Sequence, residues 1–389
     1  MTDAYLYEAL RTPRGLGTQE GSLYSIKPIS LLTGLMRELQ QRHQLDTALI
    51  DDLLLGCMTP VGDQGANLAR IAVLAAGWDG KVAGAQLNRF GASGLAALNL
   101  AAQQVRSGWD ELVVAGGVES PSRVPAGADG GAWSLDPGTS LATGYVPAVT
   151  SADVLATLER HRREQLDAWA LRSQHRAVAA RAAYRFRSIV PVRDQNGVLV
   201  LADDEMIRPQ LSLEALGCLT PLADAGYDAI CLLRHPLPGR VEHLHTAGNA
   251  ASPADGAALA LVGSKTAGAR LGVEPRARMA AGAVTGGEAA AAARKALTRA
   301  GLSIDDIDLF EVHETYAAVV LRFVRELALP VDKVNVNGGA IALGDAAGAS
   351  GCMLLGTLLD ELEARRLRRG LVAMGAGAGM AIATIIERV

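Results

Sequence analysis

Four side chains that can accept or donate a proton lie toward the C-terminal end of the chain: His313, Glu314, Tyr316 and Asp345. Imidazole, carboxyl and phenol groups act as general acids and bases when a fold places them beside a substrate. They would move protons without forming a covalent bond to that substrate. Their types and spacing indicate acid–base chemistry, and the alternative for His313 is a buried histidine satisfied by hydrogen bonds.

The cysteines offer neither a metal site nor a redox pair. The chain contains four, at Cys57, Cys218, Cys231 and Cys352. None belongs to a C-x-x-C motif, and none has a histidine at metal-ligand spacing. We expect four buried, small apolar side chains without disulfides, as is typical of a reducing compartment.

A second histidine pair, His243 and His245, occupies alternate residues. Alternate residues of a strand share a face, so the two rings could bind a metal. No third ligand is apparent, and we therefore predict a strand edge and no metal site. The carboxylates Glu119, Asp255 and Glu311 are predicted to be structural partners.

The elements that position these residues come from an internal duplication. Gly-Ala-Ser-Gly occurs at residues 91–94 and again at 348–351. The step from Ile50 to Gly91 and the step from Ile307 to Gly348 are both 41 residues. A shared offset with matching apolar patterns indicates a repeat. The predicted elements are helices over residues 94–105 and 351–365, a strand over residues 82–87, and buried strands over residues 112–117 and 371–375.

This pattern predicts an α/β fold of two duplicated halves, layered α-β-α-β-α, with the equivalent helices buried between the halves. The predicted domains are an N-terminal half at 1–118, an inserted loop subdomain at 119–245 and a C-terminal half at 246–389. The insertion carries an arginine-rich helical run over 158–187. That run is interpreted as a solvated face, and the alternative is a phosphate contact.

Composition excludes several classes of function. Net charge is −4, the sequence pI is about 6.0 and no basic patch stands out, which argues against a nucleic-acid partner. The N-terminus lacks the features of a signal peptide. The most apolar stretch, 370–386, is rich in glycine and favours paired buried strands over a membrane span. We expect a cytoplasmic protein without a membrane partner.

Several motifs resemble those of the thiolases. These are Asn-Arg-Phe-Gly-Ala-Ser-Gly at 88–94, the opening segment 9–15, Ala-Gly-Asn at 247–249 and the ten residues 335–344. The resemblance covers essentially the whole chain and implies the thiolase-like fold. It also implies a family reaction in which a cysteine attacks a 3-ketoacyl-CoA, a second cysteine moves a proton, and a histidine and backbone amides stabilise the oxyanions.

Mapped onto this chain, the family's catalytic residues are replaced. The nucleophilic cysteine corresponds to Gly91, the second cysteine to Gly375 and the histidine to Asp345. The asparagine that holds a water corresponds to His313, a replacement that also occurs in some branches of the family. Glycine has no side chain to act as a nucleophile or a base, so the resemblance implies a degraded thiolase site.

The resemblance also bears on ligands. The serine that meets the pantetheine arm in the family aligns with Ala251, and Ser252 follows it. Coenzyme A or an acyl-CoA is the candidate ligand, with no covalently bound cofactor. The resemblance also implies a homo-oligomer, a dimer or tetramer, or a mixed assembly with an active thiolase.

Three functional hypotheses follow. The favoured one is a thiolase homologue that has lost thiolysis and Claisen condensation and acts as a non-catalytic partner in acyl-CoA metabolism. The alternative is a carbon–carbon lyase of the retro-aldol type, acting on a CoA ester without a covalent step through His313, Tyr316 or Asp345. A residual acyltransferase is the third.

Overall fold

Twelve strands build the sheets of the described chain. The computed structural model describes residues 2–223, 225–235 and 239–389. The strands are β1 (Tyr5–Arg11), β2 (Gly15–Leu16), β3 (Asp52–Gly56), β4 (Ala85–Leu87), β5 (Leu112–Glu119), β6 (Val192–Arg193), β7 (Leu199–Leu201), β8 (Ala254–Gly263), β9 (Ala277–Gly286), β10 (Leu309–Val312), β11 (Arg369–Ala376) and β12 (Met380–Arg388).

The described residues also form fourteen α-helices. They are α1 (Pro28–His43), α2 (Leu68–Ala76), α3 (Ser93–Ser107), α4 (Ala132–Leu135), α5 (Pro137–Thr143), α6 (Ala148–Leu158), α7 (Arg163–Ala182), α8 (Leu213–Gly217), α9 (Asp228–Arg234), α10 (Lys265–Leu271), α11 (Ala289–Ala300), α12 (Ala317–Glu326), α13 (Ala340–Leu343) and α14 (Ser350–Arg365). None of these helices has the length and apolar character needed to cross a membrane.

The two halves of the large sheet repeat one order of pairings, and the first half adds the strands β2 and β4. The order of the sheet is β10-β11-β12-β9-β1-β8-β5-β3-β4, with β2 added beside β8. Outward from the β9–β1 contact, two successive antiparallel pairings lead to parallel strands on each side: β9–β12–β11 leads to β10, and β1–β8–β5 leads to β3 and β4. The two half-sheets meet through a short ladder that pairs Tyr5 with Arg278 and Leu6 with Ala277.

The predicted duplication is confirmed by where equivalent elements begin. β3 and β10, α3 and α14, and β5 and β11 each start 257 residues apart (309 − 52, 350 − 93 and 369 − 112). The helices predicted over 94–105 and 351–365 are present, and the apolar stretch 370–386 forms the antiparallel pair β11–β12. Of the strand predicted over 82–87, only residues 85–87 are extended, as β4.

The equivalent helices α3 and α14 are buried between the half-sheets, as predicted. One core joins their apolar faces to β1, β5, β8, β11 and β12. A second core lies under α1 and α2 on the outer face of the first half, and a third lies under α11 and α12 on the second. The result is the expected α/β layering. Glycines permit the close helix approach, since a Cβ at Gly94 would lie 2.5 Å from the Gly348 carbonyl oxygen.

The region between β5 and β8 holds the 20-residue helix α7, the shorter helices α4–α6, α8 and α9, and the separate β6–β7 ribbon. Its arginine-rich run is helical from 163 to 182, and Arg163 and Arg176 contact backbone carbonyls and carboxylates of the protein. β8 lies inside the range 246–389 that was assigned to the second half, yet it pairs with β5 and β1 of the first half-sheet. The division into three domains stays a prediction.

Two local predictions were wrong. His243 and His245 do not lie on a strand. Both contact the buried Asp153, whose Oδ1 lies 2.7 Å from Nδ1 of His245 and whose Oδ2 lies 3.3 Å from Nδ1 of His243. A buried carboxylate therefore fixes both rings, and the described residues contain no metal-binding cluster. Cys218 is exposed, whereas the other three cysteines are buried, and all four are free thiols.

Candidate functional site

The two glycines predicted to replace the family's cysteines both face open space. Gly91 lies in the turn between β4 and α3, and Gly375 lies near the end of β11. No described atom beyond the neighbouring residues lies within 4 Å of where a Cβ would stand at either position. Neither glycine has a positive φ angle, so the backbone conformation would accept a side chain. Packing does not explain glycine at these positions.

An imidazole and a carboxylate face each other next to β11, the strand that carries Gly375. His313 follows the end of β10, where its backbone N–H donates to the Ala373 carbonyl at 3.0 Å. Its Nε2 lies 3.1 Å from Oδ1 of Asp345. The angle does not satisfy an ordinary hydrogen bond, so the attraction is an electrostatic contact that becomes an ion pair when His313 is protonated. Thr315 Oγ1 lies 3.1 Å from Nδ1 of His313.

Asp345 is held as a carboxylate by several partners. Its Oδ1 accepts hydrogen bonds from Ser350 Oγ at 2.7 Å and from the Ala347 N–H at 2.9 Å. Burial alone would raise its pKa. The charge and contact of His313, together with the Ser350 and Ala347 hydrogen bonds, outweigh burial and lower the pKa to about 2. The side chain is 19% exposed, so it is accessible from the site.

Tyr316 adds a phenol to this group. Its ring stands edge-on to His245, with centroids 5.3 Å apart. Burial, and then the negative charges of Asp345 and Asp153, raise the pKa of Tyr316 to about 12. The phenol is therefore a proton donor at neutral pH and not a phenolate.

Glu314 is not available for the acid–base role predicted for it. Its carboxylate is buried and accepts from Trp169 Nε1, Ser173 Oγ and Asn335 Nδ2 at 3.0, 2.7 and 2.7 Å. These contacts tie the insertion to the second half, so Glu314 is a structural residue.

Of the carboxylates predicted to be structural partners, Glu119 and Asp255 have that role. Glu119 accepts from the backbone N–H groups of Met58, Thr59 and Gly348, and Asp255 accepts from Ser122. Glu311 is different: it is buried and its Oε2 has no partner among the described residues. Its pKa is raised well above the usual range by burial and then by neighbouring carboxylates.

The segment predicted to meet pantetheine borders the site. The Ala251 N–H donates to the Thr315 carbonyl at 2.9 Å, and the Asp345 N–H donates to the Ser252 carbonyl at 2.9 Å. Both residues are half-buried. The backbone therefore places residues 251–252 directly against the loops that carry His313 and Asp345.

The buried native cysteines do not replace the missing nucleophile. Burial, and then the nearby Glu119 carboxylate, raise the pKa of the Cys57 thiol, and burial raises that of Cys352 to about 12. Thiols in this state react poorly, because the thiolate is the nucleophile. Two small cavities lie elsewhere, one beside Cys352 and one beside Arg270, and neither borders Gly91 or Asp345.

Comparison with known proteins decides the family. Residues 4–230 match the model of the thiolase N-terminal domain, and residues 267–388 match that of the thiolase C-terminal domain. The chain belongs to the thiolase family. Its similarity to other thiolases extends over full lengths. It is 37% identical to the 3-oxoadipyl-CoA/3-oxo-5,6-dehydrosuberyl-CoA thiolase of Escherichia coli K12, with 100% of both chains covered.

Other thiolases give the same result. The chain is 36% identical to the 3-ketoacyl-CoA thiolase of Shewanella loihica over 100% of both proteins. The crystal structure of the Bacillus anthracis acetyl-CoA acetyltransferase superposes with a TM-score of 0.88 at 30% identity, covering 100% of this chain and 99% of that one. The thiolase-like fold and membership of an acyl-CoA family are therefore established for this thiolase homologue.

Sequence reasoning missed the contacts between residues of this candidate site. It identified His313 and Asp345 separately, although they lie 3.1 Å apart, and it did not link Ser350 to Asp345. The spacing carried a partial signal: Asp345 and Ser350 flank one tight turn at the start of α14. Nothing in the spacing indicated that β10 ends beside that turn.

Proposed function

We propose that this thiolase-family protein acts in acyl-CoA metabolism without covalent thiolysis or Claisen condensation, as a non-catalytic homologue or partner subunit. The observation that carries the proposal is the pair of glycines, Gly91 and Gly375, at positions with room for a thiol and none present. Loss of a covalent nucleophile commonly lowers turnover by several powers of ten. The raised pKa values of Cys57 and Cys352 argue against a substitute.

The direct test is to incubate the purified protein with acetyl-CoA and acetoacetyl-CoA and to measure intact mass and thiolysis. We expect no acyl adduct and no cleavage above the uncatalysed rate. A thiolase that retains its cysteines, assayed in parallel, is the positive control. An acyl group on any of the four cysteines that forms and turns over would refute the proposal.

Ligand binding is a separate part of the proposal. Residues 251–252 are tied by backbone hydrogen bonds to Thr315 and Asp345, which supports a retained site for coenzyme A or an acyl-CoA. Calorimetric titration with acetyl-CoA tests it. Ala251→Ser restores the hydroxyl expected to meet pantetheine and should tighten binding, whereas Ser252→Ala should have the smaller effect. Absence of binding in all three proteins would indicate a purely structural homologue.

We also propose a cytoplasmic homo-oligomer, or a mixed assembly with an active thiolase. The family resemblance and the exposed edge strand β4 support assembly. Light scattering of the isolated protein and co-purification with a co-expressed active thiolase distinguish the two forms. A monomer that recovers no partner would contradict both.

A second candidate is a carbon–carbon lyase, and the contact between His313 and Asp345 favours it. The neutral imidazole would take the proton from the hydroxyl of a β-hydroxyacyl-CoA. The carbon–carbon bond between Cα and Cβ would then break. Its electron pair would pass to the thioester enolate, and a proton returned to Cα, by imidazolium or the Tyr316 phenol, would complete the acyl-CoA and leave a free carbonyl compound.

Assay of carbonyl release from β-hydroxyacyl-CoA tests the lyase. We expect any activity to fall at least 100-fold in His313→Ala, in keeping with the usual size of acid–base catalysis. Residual acyltransferase activity, the remaining hypothesis, would appear in the thiolysis assay instead.

A further inference from the structure

Four aromatic rings form a continuous row that starts at Gly91, and we call it the aromatic ladder: Phe90, Trp133, Tyr145 and Tyr227. Successive ring centroids are 5.4, 4.9 and 6.5 Å apart, in tilted and edge-to-face arrangements. The chain contains only four Phe, four Trp and seven Tyr residues. A sequence this poor in aromatic residues places four of fifteen rings in one row beside the candidate site.

The inner end of the aromatic ladder lies at both open glycines. Phe90 precedes Gly91 in the chain. A Cβ at Gly377 would stand 2.6 Å from Cγ of Phe90, so the ring packs on the turn that follows Gly375. The ring therefore lies between the two segments that carry the missing thiols.

The backbone holds Phe90 in an uncommon conformation. Its φ angle is +50°, in the left-handed region that aromatic residues seldom adopt. The Phe90 N–H donates to Oδ1 of Asn88 at 2.7 Å, and Asn88 Nδ2 donates to the Met58 carbonyl at 2.9 Å. Strain of this kind persists where surrounding contacts enforce it and is concentrated at functional sites.

The aromatic ladder is not part of the protein's packing core. None of its four rings belongs to the hydrophobic clusters of the described chain. Phe90, Trp133 and Tyr145 are half-buried, and Tyr227 is 38% exposed. Rings in this state retain surface that a ligand can cover, and aromatic pairs gain energy beyond simple burial.

We propose that the aromatic ladder binds the acyl group of a CoA ester that carries an aromatic or similarly flat apolar ring. This inference rests on the proposed binding of a CoA ester at residues 251–252. Glycine at 91 and 375 leaves room for a bulky acyl group between the pantetheine segment and Phe90. Trp133, the next ring, would then stack on or against the ring of the ligand.

The test compares two CoA esters with the same number of acyl carbons, 3-phenylpropanoyl-CoA and nonanoyl-CoA, with acetyl-CoA as the reference. Calorimetry should show the phenyl ester binding roughly tenfold more tightly than the straight-chain ester, the ratio expected for one added aromatic contact. Trp133→Ala should remove that preference, and Trp133→Phe should keep most of it. Trp109→Ala is the matched control, because Trp109 is 88% exposed on the turn between α3 and β5.

The outcomes separate the inference from the function on which it rests. If acetyl-CoA binds and the wild-type protein does not distinguish the two longer esters, the aromatic ladder does not bind the acyl group, and the CoA site stands. If Trp133→Ala weakens all three ligands equally, the ladder is a brace for the insertion and the inference is wrong. If no ester binds, both proposals fail.

Discussion

The helices α3 and α14 start from the same four residues, Gly-Ala-Ser-Gly, and the two starts have different surroundings. A Cβ at Gly91 would meet nothing in the described chain within 4 Å. A Cβ at Gly348 would stand 2.8 Å from Cα of Cys57, 2.8 Å from Oε2 of Glu119 and 3.0 Å from the backbone N of Met58. One glycine is required by packing and the other is not.

The serines of the two motifs differ in the same way. Ser93 Oγ accepts from the Arg89 N–H at 2.8 Å and donates to the Phe90 carbonyl, so it stabilises only its own turn. Ser350 Oγ donates to Asp345, which faces His313. The duplicated motif therefore braces the fold in the second half and borders open space in the first. The packing between the halves therefore depends on glycine at 348 and not on glycine at 91.

The largest expected effect on stability comes from Glu119, whose carboxylate packs against Gly348. Glu119 accepts from the N–H groups of Met58, Thr59 and Gly348 and from Gln64 Nε2, at 2.7 to 3.1 Å. Glu119→Ala leaves these buried donors unpaired and should lower the free energy of unfolding by about 3–5 kcal/mol. Urea denaturation measures it. Glu119→Gln should cost less, and a loss near zero for Glu119→Ala would contradict this role.

The next prediction compares the effect on stability of adding a methyl group at Gly348 and at Gly91. Gly348→Ala forces its methyl group against backbone atoms of Cys57 and Met58 and should lower the free energy of unfolding by about 2–3 kcal/mol. Gly91→Ala, the matched control, should change it by less than about 0.5 kcal/mol. Equal losses of stability at the two positions would show that the tighter packing around Gly348 does not contribute to the free energy of unfolding.

Much of this comparison was visible in the sequence, because a shared 41-residue step places strand, turn and helix in register in both halves. The pairing of β8 with β5 was not, because the insertion separates two strands that are adjacent in space, and local patterns do not encode non-local pairing. His243 and His245 alternate as strand residues do, yet the buried Asp153, 90 residues from His243, fixes both rings. Tertiary contacts decided that segment.

The candidate site was likewise predictable in part from the sequence. Motif positions predicted Gly91, His313, Asp345 and Gly375, and nothing local showed that His313 and Asp345 touch. The role of Glu314 was predicted from its type alone, and three buried donors from distant parts of the chain gave it a structural role instead. Residue type indicates which chemistry is available. Burial and partners determine which groups are free to perform it.

A smaller effect concerns Asp345. Its pKa is about 2 in the folded protein and about 3.8 when unperturbed, so the unfolded state binds its proton at higher pH. Ionised Asp345 therefore stabilises the fold above about pH 4, and that contribution, about 2 kcal/mol, is lost as pH falls through about 2. Asp345→Asn should be less stable than wild type by that amount near neutral pH, with the difference vanishing in acid. Urea midpoints across this range measure it, and a difference independent of pH would contradict the pairing with His313.

The smallest expected effect is that of restoring a thiol to the open helix start. Gly91→Cys should fold as wild type does, within about 0.5 kcal/mol, because its side chain enters empty space. The new thiol should react readily with iodoacetamide, in contrast to buried Cys57 and Cys352. Mass spectrometry of the alkylated protein measures this, and Gly91→Ala controls for the substitution itself. A protected thiol would show that the site closes in solution.

Accessibility should not restore thiolysis in Gly91→Cys. A cysteine before a helix gains some thiolate character from the first-turn amides. His313 faces Asp345, whose carboxylate would offset the positive charge of a protonated His313. The thiolate and the later oxyanion would therefore gain little from that imidazole. Gly375 still supplies no base for the second half-reaction.

Gly91→Cys with Asp345→His and Gly375→Cys should do better than the single variant. If Gly91→Cys alone catalysed acetoacetyl-CoA thiolysis at an ordinary enzymatic rate, the missing thiol at position 91 would be the only defect of the site, and this prediction would be wrong.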